Sequence, residues 1–446
     1  PIFFWTAALF AKFFGWALPL HDAAHLASAF YVAITLAFTG LAARRLYGPT
    51  AALPAVLLLA GSLGYLQHAH QLITYNALVA GVAIGVYGLI ASRGFWLGTG
   101  AGIAFLSKGL LGPGLLGLTA LALMVLPAWR QSWRAWPAAL FVFIPWALVW
   151  PWLLYAHSPE LFREWFVVNN FGRFTGEAGL GGVLDHLHYA KALVWFGLPA
   201  WPIAAWAVWK REYSAKALQL PLVAFIVMLA VLSAASSART LYALPMLVPL
   251  SLLAAGALPP RGLLRALEAI GFYGGLLAGI ALWVAWLAFV AGWRPPFLEA
   301  QSPGFTPQLQ VIPLAGAIAL TAVCLHAWRR LQPRMPARWL AGVALAWGLA
   351  MTLWLPWLDH GKSYRGVIAD MKAHAAPGCI SARGLTEPQR AMFHYFAGIK
   401  AGMGECPNLV MHTGSAEMPD AGAGWRPAWR GTRPVDSKEY FWLFTR

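Results

Sequence analysis

Four residues in three separate segments have side chains suited to binding an anionic group beside a membrane. Lys108 lies between two short apolar stretches, Arg239 and Tyr242 begin another, and Arg173 lies in a loop rich in aromatic residues. An ammonium binds phosphate as a point charge, whereas a guanidinium offers two parallel donors. Ionisable residues at membrane depth are energetically costly, so they indicate a function. The alternatives are a lysine that extends to the interface and interfacial anchor residues.

Histidines offer a second chemistry on the same side of the membrane. His68 and His70 lie in one loop, and Asp185, His186 and His188 lie in another. These are zinc-type ligands, but neither group has a further partner of fixed geometry. The main interpretation is therefore that these histidines are polar residues at the membrane interface, not metal ligands. We expect no cofactor, and a divalent metal is left open as the alternative.

The elements that must position these residues are membrane spans. Of the 446 residues, 60% are hydrophobic and 11% are charged, against roughly 45–50% and 25% in soluble domains. This composition excludes a disordered, fibrous or disulfide-scaffold protein and predicts a polytopic α-helical membrane protein. The predicted spans are twelve apolar stretches, at residues 23–43, 51–67, 72–91, 95–107, 109–127, 135–155, 191–209, 218–237, 240–258, 266–291, 311–329 and 338–357.

Basic residues are unequally distributed between the loops. If the region around His21 faces outside, alternate loops carry fourteen of the 21 Lys and Arg residues before residue 359. Cytoplasmic loops of membrane proteins show this bias, so the formal net charge of +16 reflects orientation and not a nucleic-acid partner. The pattern predicts a multi-pass protein of the bacterial inner membrane, with the loop at 156–190 and the C-terminal end in the periplasm.

Two domains are predicted from the change in composition near residue 359. Residues 1–358 form the transmembrane domain, including the outer loop 156–190, and residues 359–446 form a small α/β domain. In the second domain, helices are predicted at 363–374 and 387–397, and strands at 379–382, 408–411 and 439–445. Cys379 and Cys406 would form a disulfide if their backbones lie close enough, which sequence does not show.

Taken in order, these segments resemble motifs of the C-type (GT-C) membrane glycosyltransferases, the superfamily of aminoarabinose transferases and protein O-mannosyltransferases. Residues 105–109 resemble the family's Leu-Thr-Lys-Gly motif, and residues 170–174 resemble its Arg-Phe loop motif. Residues 239–245 are similar to its Arg-x-x-Tyr-x-Leu-Pro span start. Residues 1–5 resemble the end of its Lys-Pro-Pro-Leu-aromatic-aromatic-Trp stretch. The resemblance covers nearly the whole chain.

The resemblance implies an inverting glycosyltransferase that moves a sugar from a polyprenyl-phosphate donor to an outer-leaflet acceptor. If the enzyme is of the aminoarabinose-transferase type, the acceptor is expected to be lipid A or a related lipid. Four residues are expected to bind the donor phosphate: Lys108, Arg173, Arg239 and Tyr242. Three residues are expected to contact substrate: Asn76, Glu164 and Asn170.

Two departures from the family pattern leave alternatives open. The family's main catalytic acid lies upstream of the stretch that residues 1–5 resemble, so we expect it, with a further span, before residue 1. Asn76 stands where a second acid is frequent, and an amide cannot act as a base. The alternatives are an O-mannosyltransferase-like enzyme with a hydroxyl acceptor, a non-enzymatic flippase of polyprenyl lipids, and an inactive partner subunit. Inverted repeats, which are frequent in transporter folds, are not visible in the sequence.

Overall fold

Apolar helices dominate the structure, a computed structural model. It describes residues 1–172, 175, 185–210, 215–236, 238–256, 261–330, 335–399, 406–436 and 439–446. The first helices are α1 Ile2–Phe14, α2 Leu20–Tyr47, α3 Ala52–Ala60, α4 Leu63–Ala69, α5 Tyr75–Ala91, α6 Gly94–Lys108, α7 Leu111–Met124, α8 Trp136–His157 and α9 Pro159–Arg163. A 3-10 helix, Pro127–Ala135, precedes α8, and a π-helix, Glu164–Gly172, follows α9.

The helices that follow complete the apolar part of the chain. They are α10 His188–Phe196, α11 Ala200–Lys210, α12 Ala215–Ser233, α13 Leu247–Gly256, α14 Arg261–Val290, α15 Pro296–Gln301, α16 Val311–Arg330, α17 Met335–Ala350 and α18 Leu355–Lys362. A 3-10 helix, Thr240–Met246, leads directly into α13.

The chain is a polytopic α-helical membrane protein, as predicted. Among the described residues, 5 helices are long and apolar enough to cross a membrane, or up to 8 if each bent pair is one span. Three of the predicted stretches are bent pairs: α3 with α4 at 69°, α10 with α11 at 105° and α17 with α18 at 51°. Pro199 between α10 and α11 has no N–H to continue the helix, which favours a break there. The number of spans stays a prediction.

Helix α6 lies very close to two neighbours because glycines line its contact faces. A Cβ at Gly100 would collide with the backbone nitrogen of Gly85 and would lie 2.5 Å from the carbonyl oxygen of Gly81, both on α5. A Cβ at Gly98 would collide with the carbonyl oxygen of Ala139 on α8. Such close backbone approach supplies the van der Waals contact that holds membrane helices together. The two neighbouring helices, α5 and α8, therefore fix the axis of α6 and both of its ends.

The described chain divides into two compact units. The first comprises Pro1–Leu276 and Cys324–Trp347, and the second comprises Leu277–Val323 and Gly348–Arg446. The division predicted between residues 358 and 359 stays a prediction. The second unit ends in the predicted α/β segment, with helices α19 Tyr364–Ala373 and α20 Glu387–Ala397.

A four-stranded sheet accompanies these two helices. Its strands are β1 Ile380–Arg383, β2 Asn408–Thr413, β3 Arg426–Gly431 and β4 Tyr440–Thr445, in the order β1-β2-β4-β3. Strands β1 and β2 are parallel, and the other pairs are antiparallel. Thr386 and Gln389 form a capping box at α20, at the predicted N-cap. Strand β3 is absent from the prediction, because Pro427 and an adjacent register shift interrupt its alternation.

Cys379 and Cys406 form a disulfide, with 5.2 Å between their Cα atoms. The bond joins the residue before β1 to the residue two positions before β2. It therefore closes the segment that contains α20, across the parallel pair of strands.

Replacing Gly100 with Ala should destabilise the helix bundle, because the added methyl group has no room against the backbone of α5. We expect the free energy of unfolding to fall by roughly 1–3 kcal/mol. Gly114→Ala on α7 is the matched control, because no atom lies within 4 Å of its added Cβ, and alanine has the better helix propensity. Thermal unfolding in detergent compares the two, and equal midpoints would contradict the packing described here.

Replacing both Cys379 and Cys406 with Ser should destabilise the C-terminal sheet by roughly 2–4 kcal/mol, because the unfolded segment gains freedom. The two cysteines are separated by 27 positions in the sequence. Limited proteolysis of the segment between β1 and β2 measures the effect. Addition of a reductant should speed cleavage of the unsubstituted protein and leave the double variant unchanged; a protein insensitive to the reductant would refute the prediction.

Candidate functional site

Lys108 is held by an aromatic pair at the end of α6. Its side chain is half-buried, and its Nζ atom lies 4.5 Å from the centroid of the Tyr75 ring. Tyr75 begins α5 and is 3% exposed. The Tyr75 ring stacks on Tyr242, with centroids 5.5 Å apart and planes 12° apart. An ammonium on an aromatic face is stabilised electrostatically by the quadrupole of the ring.

Arg239 belongs to the same arrangement through its backbone. It has extended φ and ψ angles of -137° and 136° and immediately precedes the 3-10 helix Thr240–Met246. Its carbonyl oxygen accepts a hydrogen bond of 2.9 Å from the Tyr242 nitrogen. The Arg239 side chain is exposed. Of the residues predicted to bind the donor phosphate, Lys108 and Tyr242 are therefore brought together, with Arg239 on the turn beside them. Arg173 lies outside the described residues.

Asn170 connects the π-helix Glu164–Gly172 to the turn that follows Lys108. Its Oδ1 atom accepts a hydrogen bond of 2.8 Å from the Leu110 nitrogen, and its Nδ2 atom donates to the Trp165 carbonyl oxygen at 2.9 Å. Gly109 has a φ of 61°, and a Cβ there would collide with Asn170 Oδ1. Only glycine fits this turn, which explains why Gly109 follows Lys108.

The π-helix is also packed on α6 through aromatic rings. Trp165 contacts Phe105 edge-on at 5.7 Å between centroids, and Phe105 contacts Phe143 of α8 in the same way at 5.9 Å. Glu164 begins the π-helix, and its side chain is exposed. Substrate contacts of Glu164 and Asn170 stay predictions; what the structure adds is that Asn170 positions the Lys108 turn.

The Asn76 side chain fixes the connection between α4 and α5. It is 3% exposed, and its Nδ2 atom donates to the carbonyl oxygens of Ala69 at 3.2 Å and Gln71 at 2.9 Å. The Gln71 oxygen also accepts a hydrogen bond from Ser28 on α2. An aspartate at position 76 would set a carboxylate against these carbonyl oxygens, whereas the amide donates to them. Asn76 thus holds the chain just before Tyr75, and its contact with substrate stays a prediction.

The loop histidines donate to backbone carbonyls. The Nδ1 atoms of His68, His70 and His186 lie 2.8, 3.3 and 2.8 Å from the carbonyl oxygens of Gly64, Leu66 and Ser233. Among the described residues, no three or more His, Cys, Asp or Glu side chains are arranged to hold a metal ion.

The first residue of α10 contacts the beginning of the 3-10 helix Thr240–Met246. His188 Nε2 lies 3.3 Å from Thr240 Oγ1, the residue after Arg239. Asp185 accepts hydrogen bonds from Lys191 Nζ at 2.9 Å and from the Leu187 nitrogen at 3.0 Å. These bonds, the one from Lys191 above all, lower the pKa of the Asp185 carboxyl group. Asp185 is therefore anionic at neutral pH and paired within its own segment.

Tyr75 is the site residue absent from the sequence predictions. A tyrosine at the start of an apolar stretch is ordinarily an interfacial anchor. Its contacts with Lys108 and Tyr242, 33 and 167 positions away in the chain, become visible only in the folded protein.

Replacing Asn170 with Ala should loosen the turn after Lys108, because the Leu110 N–H loses its acceptor. We expect hydrogen exchange at this amide to be roughly fivefold faster, as loss of about 1 kcal/mol implies. Asn170→Asp keeps the acceptor oxygen and should exchange at nearly the original rate. Asn169→Ala is the control, because Asn169 donates to the Glu164 carbonyl oxygen and not to this turn. Mass spectrometry of a peptide spanning residues 105–113 measures exchange, and an unchanged rate in Asn170→Ala would refute the assignment.

Sequence comparison finds arabinosyl transferases among the similar curated proteins; no family model matches the chain. The undecaprenyl phosphate-alpha-4-amino-4-deoxy-L-arabinose arabinosyl transferase of Pseudomonas paraeruginosa (strain DSM 24068 / PA7) is 29% identical over 286 residues. The protein of the same name from Pseudomonas aeruginosa (strain LESB58) is 31% identical over 271 residues. Each match covers 58% of this chain and 46% of the relative, so the chain spans about half the length of the curated relatives it matches.

Structure comparison extends the likeness to nearly the whole chain. The crystal structure of ArnT from Cupriavidus metallidurans bound to undecaprenyl phosphate matches with a TM-score of 0.73 and 16% identity. The structure of the same protein in the apo state gives 0.68 and 16%. Both matches cover 99% of this chain and 87% of the ArnT chain. The expected resemblance is thus confirmed: the chain has the polytopic membrane fold of the ArnT structures and is similar in sequence to the aminoarabinose transferases.

Proposed function

We propose that the protein is an inverting glycosyltransferase that moves an aminoarabinose-type sugar from a polyprenyl-phosphate donor to lipid A or a related outer-leaflet lipid. The observation that carries the proposal is the Lys108 ammonium held on Tyr75, which stacks on Tyr242 beside Arg239. The names of the similar arabinosyl transferases support this donor class, as does the ArnT structure bound to undecaprenyl phosphate.

In the proposed reaction, an acceptor oxygen attacks the anomeric carbon of the sugar. The bond between that carbon and the phosphate oxygen breaks, and the polyprenyl phosphate leaves with the electron pair. Cations fixed beforehand near this oxygen stabilise the growing negative charge. Lys108 supplies such a charge from a half-buried position, where the effective dielectric constant is lower than in water. Arg239 and Arg173 are proposed to add guanidinium donors to the same phosphate.

The Asn76 amide favours an acceptor that needs no base at this position. A lipid A phosphate is already ionised at neutral pH, whereas a hydroxyl acceptor must lose a proton to a carboxylate. The Asn76 side chain is a neutral donor to two backbone carbonyls. It is therefore compatible with phosphate as the nucleophile.

We also propose a location in the bacterial inner membrane, with the C-terminal α/β segment in the periplasm. The unequal distribution of Lys and Arg between loops supports this orientation. The Cys379–Cys406 disulfide supports it independently, because such bonds persist in oxidising compartments such as the periplasm.

Replacing Lys108 with Met should lower kcat for sugar transfer by roughly 10²–10³-fold, the loss typical of one preorganised group that stabilises a developing oxyanion. The assay uses the full-length protein in detergent, radiolabelled undecaprenyl-phosphate aminoarabinose and lipid A. Lys12→Met is the matched control, because Lys12 is exposed on α1 and should leave kcat unchanged. The reaction is expected to proceed in the presence of a chelator, because the proposal assigns no role to a cofactor.

Two outcomes would contradict the proposal. Transfer at an unchanged rate in Lys108→Met would remove the ammonium from the mechanism. Absence of any transfer to lipid A, together with movement of the labelled lipid across proteoliposome bilayers, would indicate a flippase. Transfer to a hydroxyl acceptor offered separately, and not to lipid A, would keep the enzyme class and overturn the acceptor.

A further inference from the structure

An apolar groove runs between α6, α7 and α8 in the first unit. Its volume is about 220 Å³, and its lining includes Ala101 of α6, Leu116 and Gly117 of α7 and Leu140 of α8. The groove is partly open to its surroundings. An apolar cavity excludes water and binds hydrocarbon. Because all three helices belong to the membrane-embedded part of the chain, the hydrocarbon available to this groove is a lipid chain.

One end of the groove carries two arginines. Leu97 and Trp136 line the groove; Arg93 lies about one turn before Leu97, and Arg134 lies two residues before Trp136. A Cβ at Gly94 would collide with the Ala135 carbonyl oxygen, so the beginnings of α6 and α8 touch between the two arginines. Arg93 and Arg134 are therefore neighbours in space at the same end of the groove.

These arginines have no carboxylate to neutralise them within the described part of the protein. Both side chains are exposed, and neither forms an ion pair there. The sequence contains no Asp or Glu between Asp22 and Glu160. Basic clusters beside membrane helices attract anionic lipid headgroups. The charge at this end of the groove thus fits a phosphate.

Buried hydrogen-bond donors lie on the 3-10 helix beside Arg134. Trp129 Nε1 and Ser132 Oγ have no hydrogen-bond partner among the described residues. Trp129 is 4% exposed and Ser132 is 8% exposed. A buried donor without an acceptor is destabilising, and lipid phosphate and ester oxygens are suitable acceptors. The exposed Lys216 side chain covers Trp129, with Nζ 5.2 Å from the ring centroid, and adds a third cation.

We propose that this end of the groove is a binding site for an anionic phospholipid of the surrounding bilayer. One acyl chain occupies the groove, and the phosphate lies among Arg93, Arg134 and Lys216, within reach of the Trp129 and Ser132 donors when the Lys216 side chain moves aside. The site is separate from the proposed donor site. Arg93 and Lys108 flank the two ends of α6, about 22 Å apart at 1.5 Å per residue.

Native mass spectrometry of the whole protein in detergent tests the headgroup part of the proposal. Phosphatidylglycerol and phosphatidylcholine with the same acyl chains are the probes, and phosphatidylglycerol should bind more tightly. Arg93→Gln and Arg134→Gln should each weaken phosphatidylglycerol binding about fivefold, the effect of one basic residue near a phosphate. Arg44→Gln is the control, because Arg44 is exposed in the last turn of α2 and does not line the groove. Equal affinity for the two lipids would overturn the proposal.

A matched pair of glycines on α7 tests the chain part. No atom lies within 4 Å of a Cβ added at Gly117 or at Gly114, but only Gly117 lines the groove. Gly117→Leu fills the groove and should weaken binding of both lipids at least tenfold, about the effect of displacing two methylene groups. Gly114→Leu adds the same side chain outside the groove and should bind both lipids normally. Identical lipid binding by the two variants would refute the groove as the chain site, and their thermal midpoints verify that both are folded.

Discussion

The close backbone contact of α6 with α5 and α8 is the constraint on which the rest of the first unit depends. Lipid is as apolar as a leucine side chain, so membrane helices gain little by burying apolar surface against each other. Contact area must come from backbones that approach closely, and Gly98 and Gly100 permit this on two faces of α6. The helix is therefore fixed in rotation and in position along its axis. Arg93 before its first residue and Lys108 at its last residue therefore have fixed positions as well.

An aromatic ring and two side-chain amides position the end of α6 that carries Lys108. Lys108 ends α6, and its ammonium lies over the Tyr75 ring. The Tyr75 ring stabilises the ammonium and leaves its charge in place. Tyr75 follows the connection between α4 and α5, which the Asn76 amide holds. The Asn170 amide holds the turn after Lys108. The sequence contains no Asp or Glu between Asp22 and Glu160, whereas Glu268 on α14 pairs with Arg338 on α17.

Features that depend on residues close together in the sequence could be predicted from it, whereas contacts between distant segments could not. Helix α20 starts where Thr386 predicts it, because a capping box is formed by residues three positions apart. Lys108 and Tyr242 could be selected as candidate site residues because a charged or aromatic side chain at a span boundary is recognisable from its own segment alone. Tyr75 was not, because its role arises from partners on α6 and on the 3-10 helix after Arg239. The bends within apolar stretches, such as the 105° bend at Pro199, were not predicted. Hydropathy measures how apolar a segment is and does not indicate the direction of its helix axis.

A rigid α6 also limits how the two ends of the helix influence each other. A bound lipid shifts a conformational equilibrium only by its difference in affinity for the two states. Sliding or rotating α6 would bring a residue with a side chain to the place of Gly100, where a Cβ collides with the backbone of α5, so no second packing of α6 is available at low energy. An anionic phospholipid at Arg93 would then stabilise α6 against α8 without moving Lys108. Anion binding at the two ends should consequently be independent, each end using its own cations and the same fixed helix.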